Sequence, residues 1–190
     1  MNVQEPNPYV LPEGLPVPED DGACAHLPGR AVPDLSLTSS EGVSWNLANI
    51  AKEKAIVYVY PATGVPGTDP IPGWDQIPGA PGCTVQSLGF RDHYEHFRNL
   101  GYAVFGLSAQ GSAEQNEFKQ RTKLPLVLLS DSSFLLRDHL RLPTFHAQGK
   151  TFYKRLVLIL EGGKIRHVLY PVFPPDQSAV DVLKWLDAAK

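Results

Sequence analysis

From Lys54 onward the chain alternates short, densely β-branched runs with segments of helical spacing, and few folds accept that order. KAIVYVYP (54 to 61), GYAVFGLS (101 to 108) and LPLVLLSD (124 to 131) read as buried strands. VQSLGFRDHYEHFRNL (85 to 100) sets Leu88, Phe90, Tyr94, Phe97 and Leu100 at approximately helical spacing, and SAEQNEFKQRT (112 to 122) predicts a helix capped by Ser112. PDLSLTS (33 to 39) alternates as a half-buried strand does, and SWNLANIAK (44 to 52) predicts a short helix begun by a serine cap. KRLVLILEGGKIRHVLY (154 to 170) reads as a hairpin turned at Gly162 and Gly163, and SAVDVLKWLDAAK (178 to 190) as a closing amphipathic helix. The class is therefore α/β: a central mixed sheet with helices on both faces. Ligands of such sheets gather at the carboxyl ends of the strands.

A chain of 190 residues is long enough for one domain with a substantial core. Residues 1 to 30 are rich in proline and acids and predict an extended arm, leaving residues 31 to 190 as the folded domain. Seventeen basic against twenty acidic side chains, without a long run of either sign, argue against nucleic acid or an anionic membrane as partner. No apolar run reaches the roughly 20 residues of a membrane span, and the opening MNVQEPNPYV lacks a signal-peptide pattern, so the expected location is cytoplasmic.

Two cysteines, Cys24 and Cys83, are too few for a disulfide scaffold, and no C-x-x-C spacing suggests zinc. His93 and His96 share a helix but lack further ligands. Ser108 follows a strand without the nucleophile-elbow pattern. Cys83 is the more informative residue. It follows TGVPGTDPIPGWDQIPGAPG, a segment so dense in proline and glycine that no regular element fits, and it opens the predicted helix. Unpaired amides at a helix start favour a thiolate. Pro81 fixes one backbone angle, and Gly82 lets a small substrate approach the main chain. The competing reading is a small buried hydrophobe, since free cysteine is among the most buried residue types.

Across residues 31 to 188 the chain resembles the peroxiredoxins, above all the Q-type group that includes bacterioferritin comigratory protein. VPDLSLTSSEGVSWNLANI, IVYVYP, PGCT followed by FRD, GLS, LPLVLLSD and KRLVLILEGGKI occur in register. The resemblance implies a thioredoxin-like fold and a thiol peroxidase acting on hydrogen peroxide or organic hydroperoxides. Cys83 takes the place of the peroxidatic cysteine, which becomes a sulfenic acid, and Arg155 that of the arginine that stabilises the thiolate and orients peroxide. Lys154 and Arg137 are rival sources of positive charge. Backbone amides of Gly82 and Cys83 are additional donors. The implied reductant is a thioredoxin-like protein or a low-molecular-weight thiol, no metal, flavin or haem is implied, and family members often form homodimers.

Three departures from the family pattern stand out. The hydroxyl three residues before the cysteine is replaced by Ala80, which leaves Thr63 or Thr68 of the lengthened loop to supply it. The resolving cysteine five residues after the peroxidatic one is replaced by Leu88, so that either Cys24 resolves the sulfenic acid or an external thiol does. The loop also brings Trp74 near the site, as a wall of a substrate pocket or, in the favoured reading, as an anchor of the loop. The reading that competes with an enzyme is a redox sensor or thioredoxin-fold binding module, with an inert scaffold as a third.

Overall fold

The computed structural model describes residue 7 and residues 9–189, and the parts of the expected arm and closing helix at residues 1–6, 8 and 190 lie outside the described residues. The described chain runs β1 (Ser36–Ser39), β2 (Ser44–Asn46), α1 (Leu47–Lys52), β3 (Lys54–Val59), α2 (Cys83–Asp92), α3 (Tyr94–Asn99), β4 (Tyr102–Ser108) and α4 (Ser112–Thr122). It continues through β5 (Val127–Ser130), α5 (Leu135–Leu140), β6 (Thr144–Ala147), β7 (Lys150–Tyr153), β8 (Leu156–Glu161), β9 (Lys164–Leu169) and α6 (Ser178–Ala188).

Seven strands form one sheet in the order β2-β1-β5-β4-β3-β8-β9, with β6 and β7 as a separate hairpin. β3, β4 and β5 pair in parallel at its centre, and the outer pairings are antiparallel. Because side chains alternate across a strand, β3 feeds two cores. Ala55, Val57 and Val59 face one with Leu47, Leu136, Leu140 and Cys24. Ile56, Tyr58 and Tyr60 face the other with Cys83, Phe90, Phe97, Phe118 and Val182. The sheet is thus covered on one face by α1 and α5 and on the other by α2, α3, α4 and α6. No described helix is long and apolar enough to cross a membrane.

Several local expectations are corrected. Ser44 does not cap a helix: Ser44–Asn46 pairs with β1, and the Asn46 side chain caps α1 by accepting from the Asn49 N–H at 2.9 Å. The helix read across residues 85 to 100 breaks at His93, whose N–H and ring Nδ1 both engage the Gly89 carbonyl before α3 begins. Ser112 is the first residue of α4, not its cap; the Glu114 carboxylate closes that end by accepting from the Gly111 N–H at 3.0 Å. Within the proline-glycine loop Trp74–Gln76 makes one turn of 3-10 helix. α5 and the β6–β7 hairpin were not foreseen. Residues 9–30 contain neither helix nor strand, and are joined to the sheet edge by a bridge from Ala31 to Lys164 and by the Gly29 N–H on the Ile165 carbonyl at 2.7 Å.

The placement of α2 depends on Gly106 in β4. A β-carbon there would lie 2.8 Å from the Tyr58 hydroxyl and 2.6 Å from Leu128 Cδ2, so only glycine lets Tyr58 lie across the sheet. Tyr58 then donates to Ser87 Oγ at 3.1 Å and stacks on Phe90 with ring centroids 4.4 Å apart, fixing two positions of α2. Replacing Gly106 by alanine is expected to destabilise the protein by about 1–3 kcal/mol through overpacking, read from urea unfolding; no loss of stability would show that Tyr58 has room to move.

Candidate active site

Cys83 is the first residue of α2, and its N-terminal neighbour Gly82 adopts φ 97°, ψ 18°, a conformation that favours glycine. Gly82 is also walled in. A β-carbon on it would run into the Pro175 ring and lie 2.8 Å from Leu11 Cδ2. The turn that delivers Cys83 into the helix is therefore fixed by both backbone conformation and packing. Cys83 is 4% exposed, and its thiol donates to the Ala80 carbonyl at 3.6 Å.

Arg155 enters from the residue before β8 and is 3% exposed. Its Nη2 lies 3.3 Å from Cys83 Sγ, 3.0 Å from the Ala80 carbonyl oxygen and 2.9 Å from that of Pro81. Nε donates to the Gly79 carbonyl at 3.3 Å, and Nη1 to Gln86 Oε1 at 2.5 Å. Gln86 is held in turn by Ser178, to which its Nε2 donates at 3.1 Å. Among the described residues no carboxylate is ion-paired with Arg155. A buried cation surrounded by neutral acceptors offers its one ionisable neighbour, the Cys83 sulfur, a hydrogen-bond donor and a positive charge. The amides of the first turn of α2, which have no partner inside the helix, add to the same effect. The rival cations are engaged at the surface: Lys154 Nζ lies 2.7 Å from Asp21 and Arg137 2.8 Å from Asp138.

The other expected site residues are placed differently. The Thr63 N–H and hydroxyl both donate to Gln110 Oε1, at 2.9 and 3.1 Å, and Gln110 Nε2 donates back to the Thr63 carbonyl at 3.1 Å. Thr68 is exposed and donates to the Val65 carbonyl at 2.7 Å. Neither hydroxyl is bonded to Cys83 or Arg155: that of Thr63 is taken by the Gln110 side chain beyond β4, and that of Thr68 by the backbone of its own loop. Trp74 packs on the β6–β7 hairpin, with ring centroids 5.0 Å from Phe152 and 5.8 Å from Phe145, so its contacts are those of a loop anchor. Cys24 is buried in the core on the opposite side of the sheet from the one holding Cys83, and both thiols are free. Burial, helped by Asp21 and Asp20, pushes the Cys24 thiol up to about 12, which keeps it protonated.

Gln86 was missed from the sequence. Its signal was available: three residues after Cys83 on one helix, it lies on the same face. Pro175 and Leu11 carried no comparable signal, since their approach to Gly82 depends on the path of distant segments.

The Redoxin family model matches residues 27–183. Peroxiredoxin Q of Arabidopsis thaliana, a chloroplastic protein, is 30% identical over 161 residues, which make up 85% of this chain and 67% of the plant protein. The chain spans about two thirds of the length of such plant relatives. The crystal structure of peroxidoxin BcpB from Mycobacterium tuberculosis superposes with a TM-score of 0.70 at 22% identity, covering 87% of this chain and 99% of that one. Bacterioferritin comigratory protein of Xanthomonas campestris, studied for its alkyl peroxide reduction activity, gives 0.68 at 22% identity, with 86% and 98% covered. The sheet order and flanking helices are thus those of the thioredoxin-like fold these proteins share, and the chain belongs to the Redoxin family and, within it, to the peroxiredoxins, on the side of the Q-type group.

Proposed function

We propose that this chain is a thiol-dependent peroxidase in which Cys83 is the reacting sulfur and Arg155 the residue that stabilises it. The observation that carries the reading is the contact of 3.3 Å between a buried guanidinium without a carboxylate partner and the sulfur at the start of α2. Family membership and the alkyl peroxide reduction activity of the Xanthomonas protein support it.

In this reading the Cys83 thiolate attacks one oxygen of hydrogen peroxide or of an organic hydroperoxide. The S–O bond forms as the O–O bond breaks, the departing hydroxide or alkoxide takes up a proton, and Cys83 is left as a sulfenic acid. Arg155 faces the sulfur with its guanidinium, whose fixed fork of donors suits the charge that develops on peroxide oxygen. The first-turn amides and Arg155 orient peroxide, with Gly82 and Pro81 shaping the approach. Thr63, Thr68 and Trp74 hold the loop. Among the described residues no side-chain hydroxyl is bonded to Cys83 or Arg155 in place of the one missing at Ala80.

Peroxiredoxins act on peroxides with thioredoxin-type reductants, and here an external thiol, from a thioredoxin-like protein or a small molecule, completes the cycle. The position of Cys24 across the sheet from Cys83 supports that assignment over an internal disulfide. A second copy in a homodimer would pair on the edge strand β2, since residues 29–32 already bond to the outer side of β9 and its turn.

Three outcomes test the reading. One equivalent of hydrogen peroxide should add one oxygen to the reduced protein by intact mass, and Cys83→Ser should abolish both that addition and peroxide consumption; an unmodified wild-type protein would sink the proposal. Arg155→Met should lower the second-order rate with peroxide on the order of 100-fold, the loss expected when a preorganised donor is removed. Cys24→Ala should keep full turnover with an external thiol, whereas loss of turnover together with loss of a peroxide-induced disulfide would assign Cys24 as the resolving residue.

A further inference from the structure

The turn that carries Cys83 is covered by a segment from outside the domain core. Leu11 Cδ2 lies against Gly82, and a β-carbon built on Gly79 would sit 3.5 Å from Pro18 Cβ and Cγ. These two glycines flank Ala80 and Pro81, whose carbonyls hold Arg155. From Leu11 to Glu19 the chain makes no hydrogen bond among the described residues, so this stretch rests on the turn through apolar contact alone.

Its fastening lies just beyond, at Asp21. One carboxylate oxygen is 2.7 Å from Lys154 Nζ, and the other accepts from the Tyr170 hydroxyl at 2.8 Å. Lys154 directly precedes Arg155, so the fastening closes beside the residue that faces the sulfur. The Lys154 ammonium, and after it Tyr170, hold the Asp21 carboxyl down to about 2, which keeps the pair charged wherever thiols react. At the far end Arg121 Nη1 donates to the Tyr9 hydroxyl at 3.4 Å, and Nη2 of the same guanidinium donates to the Gly64 carbonyl at 3.0 Å. The segment is thus pinned at both ends and loose between them, the construction of a piece that opens without unfolding the domain.

We propose that residues 11–21 form a strap over the catalytic turn, latched by Asp21, that decides which thiols reach Cys83. The proposal rests on Cys83 being the reacting sulfur. A hydroperoxide or a small thiol needs only a narrow gap beside Gly82. A protein dithiol must bring its own backbone against the turn, where Leu11 and Pro18 now lie. The step that is gated is reduction: a thiol attacks the Cys83 sulfenic acid, a disulfide bond forms and water leaves. A second thiol then displaces Cys83 as the thiolate and carries away the oxidised pair as a disulfide. With the strap closed a small thiol performs both displacements; with it open a protein dithiol does.

The test compares reagents of one chemistry and two sizes on the full chain carrying Cys24→Ala. N-ethylmaleimide and a polyethylene glycol maleimide are timed on reduced Cys83 with and without Asp21→Asn, and with Tyr170→Phe as a second way of weakening the latch. Asp21→Asn should raise the rate of the large reagent relative to the small one by about tenfold, and Tyr170→Phe should move the ratio the same way by less. An unchanged ratio, both rates rising together, or failure of N-ethylmaleimide to reach Cys83 even in Asp21→Asn would overturn the strap. In the peroxide-oxidised protein, Asp21→Asn should speed reduction by thioredoxin and leave reduction by dithiothreitol within about twofold; equal acceleration of both would refute selection by size. Alkylation needs no peroxide, so a Cys83 that reacts with maleimide and not with peroxide would sink the peroxidase reading while the ratio still decided the strap.

Discussion

A guanidinium buried to 3% exposure without an ion-paired carboxylate among the described residues is the constraint around which this site is built. Burying a charge is costly unless hydrogen bonds replace its water. Arg155 meets that demand with the carbonyls of Gly79, Ala80 and Pro81, the amide oxygen of Gln86 and the sulfur of Cys83. Four of these five partners are neutral oxygens, and the sulfur is the one group among them with an anionic form. The same contacts that make the cation tolerable in the interior also set the distance to Cys83. Burial of the guanidinium and placement of the sulfur are therefore one structural problem with one solution.

That solution reaches well beyond the site. Three successive carbonyls point at one guanidinium only if the chain turns sharply, and Gly79 and Gly82, both at positive φ, bracket the turn. The helix that follows must then start at Cys83, and its place on the sheet is set from below by Tyr58 lying across Gly106 and reaching Ser87. Gln86 joins the two levels, because it accepts from Arg155 and donates to Ser178 at the start of α6. A disturbance in α6 is thereby coupled to the orientation of the guanidinium without any contact to the sulfur.

The sheet was legible in the sequence because its central strands β3, β4 and β8 are apolar runs buried on both faces, a pattern that survives whatever the neighbours are. Cys83 and Arg155 stand out by register with the family, and the structure brings them within 3.3 Å of each other. What escaped depended on tertiary partners. Ser44 has the chemistry of a helix cap, yet its segment gains more from pairing with β1. His93 continues a helical apolar pattern that its own bonds to Gly89 interrupt. Thr63 and Thr68 have the right chemical group for the missing hydroxyl, but that of Thr63 is bonded to Gln110 beyond β4 and that of Thr68 to Val65 of its own loop. Trp74 reads by preference as an anchor of the loop, and what escaped was its partner, the β6–β7 hairpin on which the ring packs.

The lengthened loop between β3 and α2 does not disturb the catalytic turn, and the reason is energetic. Each doubling of a flexible loop costs only about 0.6 kcal/mol in closure entropy. The greater danger is wandering of the loop's end, which would displace Cys83 relative to Arg155. Here the loop is tied near its start by Gln110 at Thr63 and by Arg121 at Gly64, in its middle by Trp74 on Phe152 and Phe145, and at its end by Arg155 itself. No stretch between ties is long enough to move the last turn independently. A long loop upstream of Cys83 is compatible with the geometry of its turn when the final tie is made by Arg155, because error accumulated along the loop is then removed at the point where the two residues meet.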